Sequence, residues 1–255
     1  MQRTYSRGKG QDAIRPPTPG QRSAQASAFN VRLANPFLGP ERQKGWDGGV
    51  DVILGRWGVI GATYYHQIAR DLIQFVVVDP TSSPQLVQYQ NVGRVKNSGF
   101  EFEGTINVGM VQLRGQFAIT KSRVQQLAPD YTGELIVGDQ VTIVPRHTAG
   151  LSVTLTPEQT NITGGLTYVG SWTNLDRFAQ FSCFGGTGPC QASTRGYLKR
   201  YDGFVKFNLS ISRQLSPALS GFLAVDDLTN NATTEFWNQV AVPGRVGMLG
   251  IRVSY

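Results

Sequence analysis

The feature that most constrains this chain is an alternation of apolar and polar residues with period two. It is held over segments of about ten residues and repeated from Trp46 to the end of the sequence. Between His147 and Thr156, Ala149, Leu151, Val153 and Leu155 fall on one side of an extended chain, and Thr148, Gly150, Ser152 and Thr154 on the other. In the closing stretch GRVGMLGIRVSY, Leu249, Ile251, Val253 and Tyr255 oppose Met248, Gly250, Arg252 and Ser254. Strands with one oily and one small or polar face suit either a soluble sandwich or a membrane barrel.

Strand length and turn spacing separate the two. Segments of about ten residues exceed the five or six typical of globular strands. The connections alternate short and long from Arg56 to Pro243: short at GRWG, Gly109, PEQT and LSPAL, with four long polar excursions between them. A sandwich has no reason to keep its long loops at one end, whereas outer-membrane barrels join short periplasmic turns to long outer loops. No apolar run approaches the roughly 20 residues of a spanning helix. A content of 30 Gly and 16% charged residues suits strands with one apolar and one small or polar face. The expected fold is all-β: an up-and-down antiparallel transmembrane β-barrel fragment of about nine or ten strands. Its long loops are expected to be extracellular and its C-terminus periplasmic.

The faces can be read strand by strand. Trp46, Gly48, Val50, Val52 and Leu54 oppose Asp47, Gly49 and Asp51, and Phe100, Phe102, Ile106 and Val108 oppose Glu101, Glu103, Thr105 and Asn107. Val205, Phe207, Leu209 and Ile211 oppose Lys206, Asn208, Ser210 and Ser212. A cation on the lipid side costs roughly 2 to 4 kcal/mol at the bilayer midplane, so the rows carrying charge, Arg252 included, face water. VIGATYYHQIAR reads as a strand of ambiguous face. Trp46, Tyr65, Tyr168, Trp172 and Tyr255 lie toward strand ends, where an interfacial aromatic girdle belongs.

Residues 1–34 are rich in Arg, Gly, Pro, Gln and Ser without periodicity, so they are expected to be disordered or loosely attached, leaving 35–255 as the barrel part. They contain no apolar core of a secretory signal. AFNVRLANPF offers a tenth strand, an even number that could close a small barrel by itself.

Chemistry-bearing residues are sparse. The net charge of +7 is scattered, which argues against nucleic acid. Glu101 and Glu103 share a strand face without a positioned nucleophile, so they read as wet-face carboxylates and not as a general acid and base. His66 and His147 have no ligand-spaced partners. No catalytic, cofactor or metal site is expected, and no ligand-binding residue can be assigned. Phe236 and Trp237 in an outer loop could stack on a sugar, although loop packing is the commoner fate. Cys183 and Cys190, in SCFGGTGPC, could close a small disulfide loop, implying an oxidising compartment; two unpaired thiols is the other reading.

Five stretches in order resemble the TonB-dependent receptors. PFLGPERQKGWDGGVDVIL looks like the segment leading into that family's later barrel strands. DLIQF with YQNVGRVKNSGFEFEG is similar to its "D-L-I … N-x-G-x-x-x-x-G-x-E-x-E" pattern at Asp71, Leu72, Ile73, Asn91, Gly93, Gly99, Glu101 and Glu103. PRHTAGLSVTLTP, AVDDLTN (with Asp227 in place of the common Asn) and the closing PGRVGMLGIRVSY complete the series. Members are described as 22-stranded barrels plugged by an N-terminal domain, importing siderophores, cobalamin or saccharides with energy from a periplasmic motor protein. Plug, motor-binding box and signal peptide have no counterpart here, so the resemblance implies the C-terminal portion of a receptor, not functional alone. Its implied partners are outer-membrane lipid, an unknown small-molecule ligand and the motor protein, the last only through the missing part. Tyr255 resembles the terminal aromatic that engages the barrel assembly machinery, a plain rim residue being the alternative. A self-contained ten-strand pore or adhesin is the second reading, and a soluble sandwich or enzyme the third.

Overall fold

The computed structural model describes residues 3–27, 30–79, 81–232 and 244–253. In chain order the elements are β1 (Arg3–Arg15), α1 (Pro19–Arg22), β2 (Gln25–Ala26), β3 (Asn30–Leu33), β4 (Glu41–Ile53), β5 (Gly58–Arg70), β6 (Ile73–Asp79) and β7 (Gln85–Asn91). There follow β8 (Gly93–Val108), β9 (Val111–Leu127), β10 (His147–Leu155), β11 (Thr160–Val169), β12 (Trp172–Leu175), α2 (Arg177–Phe184), β13 (Leu198–Tyr201), β14 (Phe204–Ser216), β15 (Leu219–Asp226) and β16 (Val246–Val253). No helix among the described residues is long and apolar enough to cross a membrane, which says nothing against crossing by strands.

Ten strands form one antiparallel meander in the order β1-β4-β5-β8-β9-β10-β11-β14-β15-β16. Because neighbours pair without slips over most of their length, directly opposed residues share a face and the alternation becomes rows across the sheet. Val50, Ala62, Phe102, Phe117, Ala149, Tyr168 and Val205 make one apolar row. Gly61, Glu103, Gln116, Gly150, Thr167 and Lys206 make the polar row beside it. The register also resolves β5: Ile60, Ala62, Tyr64 and His66 join the apolar face, with Tyr64 5.4 Å from Trp46 and 4.9 Å from Phe100 between ring centroids. Arg252 lies opposite Ser220, beside the row of Ser212 and Phe222, while Leu249 and Leu223 line up with Ile211 on the apolar face.

The apolar face has no protein cover. Phe100, Phe102 and Phe117 remain 46%, 43% and 38% exposed, and Leu249 84%. A contiguous exposed apolar band of this extent needs a non-aqueous neighbour, and in a sheet of this design that neighbour is lipid. The buried side chains lie elsewhere, at the end of the sheet where the long connections gather: Leu38, Val76, Val77, Val87, Val124 and Leu135 are nearly inaccessible.

Several expectations change. The N-terminal segment is not loose from residue 3 onward: Arg3–Arg15 is the first strand of the large sheet, paired residue for residue with β4. Its outward row is Thr4, Ser6, Gly8 and Gly10, opposite Val52, Val50, Gly48 and Trp46, so it is a strand without an apolar signature. AFNVRLANPF does not supply the tenth sheet strand; Asn30–Leu33 instead pairs in parallel with β7 in a separate four-stranded sheet, β2-β3-β7-β6. The long connections therefore number five, the additional one running from 16 to 40. Two expected girdle residues lie elsewhere. Tyr65 faces the polar side and donates to Thr120 Oγ1 at 3.0 Å, and Trp172 is buried above the sheet against Tyr201 and Phe204. Tyr255, Phe236 and Trp237 lie outside the described residues.

Candidate functional site

The sheet offers two places where polar groups converge, one on its inner face and one above it. On the inner face, antiparallel pairing brings Asp51 of β4, Thr63 of β5 and Glu103 of β8 around Arg7 of β1. The Arg7 guanidinium donates to Thr63 Oγ1 at 3.0 Å and pairs with Asp51 at 3.3 Å and Glu103 at 3.5 Å. A trough of about 860 Å³ runs past Arg7, Thr63, Glu103 and Glu101. The two glutamates thus stand on a hydrophilic wall beside a cation, with no nucleophile against them among the described residues. His66 and His147 lie on the opposite, apolar side, stacked on Trp46 and Phe117 at 6.2 and 6.3 Å.

Above the sheet the long connections fold into a crown. The connection after β5 turns back as the β6–β7 hairpin, whose outer edge takes β3. Its base is clasped by residues of one sequence motif. Asn91 Nδ2 donates to the carbonyls of Asp71 (2.7 Å) and Gly39 (3.1 Å), its Oδ1 accepts from Gly39 N at 2.8 Å, and Asp71 N donates to Gly93 O at 2.6 Å. The last connection is held in the same way: Asp227 accepts from Asn231 N and from the Thr229 hydroxyl, and Arg245 donates to Leu228 O at 2.7 Å. The motif positions therefore act as fasteners at the strand tops.

The fourth long connection carries α2, capped by Asp176, whose carboxylate accepts from Ala179 N at 3.1 Å. Its far end is tied by a disulfide between Cys183 and Cys190. Thr194 donates to Val77 O at 3.2 Å, and Arg195 bridges to Asp139 (2.5 Å) and to Glu134 O (2.8 Å), which joins this connection to two others. Between α2, the β6–β7 hairpin and residues 134–143 lies a cavity of about 920 Å³.

Its walls mix rings and amides: Phe75 and Tyr89, 5.1 Å apart edge to face, Phe181 and Phe184 of α2, and Gln74, Gln85 and Gln180. Arg177 and Glu134 are its two charged side chains. Burial pushes the Glu134 carboxyl above the usual carboxylate range, against the pull of a Gln74 hydrogen bond and of Arg177 and Arg195. Burial likewise pushes Tyr131 up and Arg177 down. A carboxyl whose folded pKa is raised binds its proton more tightly folded than unfolded, so it costs stability as pH rises from the ordinary value near 4.5 toward the raised one. The crown is therefore expected to open more readily as pH climbs through that window. Glu134→Gln is expected to flatten the dependence and to slow opening at neutral pH. Amide exchange of the β6–β7 hairpin against pH checks this; an unchanged slope in the variant contradicts it.

The family model described as TonB dependent receptor-like, beta-barrel, matches residues 4–228. No curated protein sequence matches the chain. Among solved structures, the siderophore receptor PirA from Acinetobacter baumannii superposes with a TM-score of 0.69 at 14% identity, over 99% of this chain and 39% of PirA. A mutant of the ferric enterobactin receptor PfeA from Pseudomonas aeruginosa gives 0.67 at 16%, over 99% and 38%. The copper transporter OprC gives 0.69 at 17%, over 99% and 37%. At these identities the likeness speaks to the fold. The chain spans less than two fifths of the length of each.

Proposed function

The chain belongs to the TonB-dependent receptor β-barrel family, and on that premise we propose that its ten strands are one arc of the wall of an outer-membrane receptor that imports a scarce small ligand. The family is one of outer-membrane transport receptors, not of enzymes. In this reading the apolar rows meet lipid, the trough past Arg7 and Glu103 faces the water-filled interior, and the crown faces the outside of the cell. The short turns and the C-terminus face the periplasm. Uptake is driven by a motor protein acting through the receptor's plug.

The observation that carries the arc is the pair of sheet edges. Among the described residues β1 pairs only with β4 and β16 only with β15, and all thirteen residues of β1 are exposed. In hydrocarbon each unpaired backbone N–H or C=O costs several kcal/mol, so both edges need neighbouring strands. A self-contained ten-strand pore would require β1 to pair with β16, and no such pairing occurs among the described residues. Siderophore and metal receptors among the solved relatives support a small chelate or ion as cargo, and the disulfide supports an oxidising exterior.

Refolding into detergent micelles tests the arc. Alone, the chain is expected to give no compact, heat-modifiable species; mixed with a polypeptide carrying the remaining strands of a receptor barrel, it is expected to give one. A compact species from the chain alone contradicts the arc and favours the small pore.

A further inference from the structure

We propose that the rim of the sheet just below the crown, on its lipid-facing side, binds a phosphorylated glycolipid of the outer leaflet: a multi-acyl lipid with phosphates on a sugar headgroup. The inference rests on the reading of the crown as outward-facing and of the apolar rows as lipid-facing. It concerns the crown-side ends of four adjacent strands. β4 contributes Arg42 and Lys44, and β5 contributes Arg70. β8 contributes Arg94 and Lys96, and β9 contributes Lys121 and Arg123. The residues that alternate with them, Ala69, Val95 and Val124, point the other way into the core beneath the crown, which fixes the cations on the outward face.

The register sets these charges against one another. Arg42 lies directly opposite Arg70, Arg70 directly opposite Arg94, and Lys96 directly opposite Arg123. Like charges opposed on neighbouring strands, about 4.8 Å apart, are destabilising, so three arginines in one row are not there to hold the sheet together. The chain offsets little of this charge. Lys44 pairs with Asp12 at 3.1 Å and Arg123 donates to Gly138 O at 2.7 Å, but Arg42, Arg70, Arg94, Lys96 and Lys121 form no ion pair among the described residues. The charge is also gathered at one end. On the same four strands the outward rows run down to Val52, Ile60, Ile106 and Leu113 at the short-turn end without a cation.

The chemistry of the partner follows from this placement. Guanidinium and ammonium groups without carboxylates call for an oxyanion, and the planar fork of arginine suits phosphate. Directly beneath the patch lie rings: Trp46 and His66 stack at 6.2 Å in the row that holds Lys121, with Tyr64 and Phe100 in the next. Outward rings at that level mark the boundary between acyl chains and headgroups, so the cations stand at headgroup height. Four strands and three rows give a patch about 14 Å across and 13 Å high, room for a disaccharide with two phosphates. A free phosphate would gain only charge on this open surface, where salt screens over about 8 Å. A glycolipid also lays its chains over the exposed Phe100, Phe102 and Phe117 below, which no soluble anion does.

The test uses the natural protein, purified in mild detergent from the outer membranes of producing cells and titrated with fluorescent bis-phosphorylated lipid A. The comparators are the same lipid with its phosphates removed, phosphatidylglycerol, and orthophosphate as a competitor. Saturable binding of the bis-phosphorylated lipid is expected, about tenfold tighter than that of either other lipid and not displaced by an equal concentration of orthophosphate. The double substitutions Arg70→Gln with Arg94→Gln, and Lys96→Gln with Lys121→Gln, are each expected to weaken it about tenfold while the protein keeps its heat-modifiable migration. Arg213→Gln, which removes an exposed outward cation near the opposite rim, should stay within about twofold of the parent. Equal binding of the phosphate-free lipid or of phosphatidylglycerol, displacement by orthophosphate, or a loss at Arg213→Gln as large as at the patch overturns the proposal. Surface labelling of the crown in intact cells separates this from the receptor reading. A crown reached from outside without lipid A binding removes the headgroup site alone; a crown reached only after the outer membrane is permeabilised removes both.

Discussion

Leu151→Arg is expected to cost about 2 to 4 kcal/mol of stability in the assembled barrel, whereas Gln116→Arg, one row away, should cost less than about 1 kcal/mol. Leu151 sits at the middle of β10, in the apolar row with Gly115, Gly104 and Ile60, and is 44% exposed because no protein covers that face. An arginine there must be desolvated at bilayer depth or pull water and headgroups toward it. Gln116 lies in the next row, directly opposite Glu103, so an arginine at that position meets water and a carboxylate. Urea unfolding in lipid vesicles, with the amount of heat-modifiable protein in the outer membrane as a second reading, measures the difference. Equal costs at the two positions would mean that the face assignment is wrong.

Gly93→Ala is expected to cost at least about 3 kcal/mol, a large effect for adding one methyl group. Gly93 has φ of 116°, a backbone region that L side chains rarely adopt, and an added Cβ would come within 2.4 Å of Gln126 O and 2.7 Å of Ala128 N. Both neighbours are backbone, so neither can turn aside. The position cannot yield either: the strand shifts register beside it, at Arg94 and Val95, and its carbonyl accepts from Asp71 N. Strain at that joint loosens the clasp that Asn91 makes on Gly39 and Asp71, so the crown should become protease-sensitive before the sheet unfolds. Limited proteolysis alongside the unfolding curve checks this order; intact crown protection in the variant contradicts it.

The two cases mark where the sequence was legible. Nine strands of the large sheet announced themselves because each buries one face in a uniform medium, which writes a period of two directly into the residues. Phe100 and Phe102 against Glu101 and Glu103 is that rule in four residues. β1 escaped it because its outward row, Thr4, Ser6, Gly8 and Gly10, covers the neighbouring Trp46 and Val50 edge with small groups and carries no apolar signal. Trp172 and Tyr65 show the opposite error. An aromatic near a strand end resembles a girdle residue, yet three-dimensional neighbours put one inside the crown and the other on the polar wall.

The crown cavity was not legible at all, and for a physical reason. Gln85, Glu134 and Gln180 come from three connections with no periodic relation in sequence, and their meeting depends on the β6–β7 hairpin, the Arg195 bridges and the pinned α2. The motifs Asp71–Asn91–Gly93 and Asp227–Arg245 were legible as family marks but not as clasps, since the bonds from Asn91 to Asp71 and Gly39 and from Arg245 to Leu228 and Asn230 join positions 15 to 52 residues apart. Recognition of the family rested on residues that fasten the connections to the strand tops, while the cavity residues lie between them.

In the proposed orientation the crown faces outside and the short turns face the periplasm. Single cysteines at Asp130 in the crown and at Gln159 in the β10–β11 turn, both exposed, test it most directly when intact cells producing the protein are treated with a membrane-impermeant maleimide. Labelling at Asp130→Cys without labelling at Gln159→Cys until the outer membrane is permeabilised is the predicted result. Labelling at Gln159→Cys in intact cells, or at neither position after permeabilisation, would contradict it.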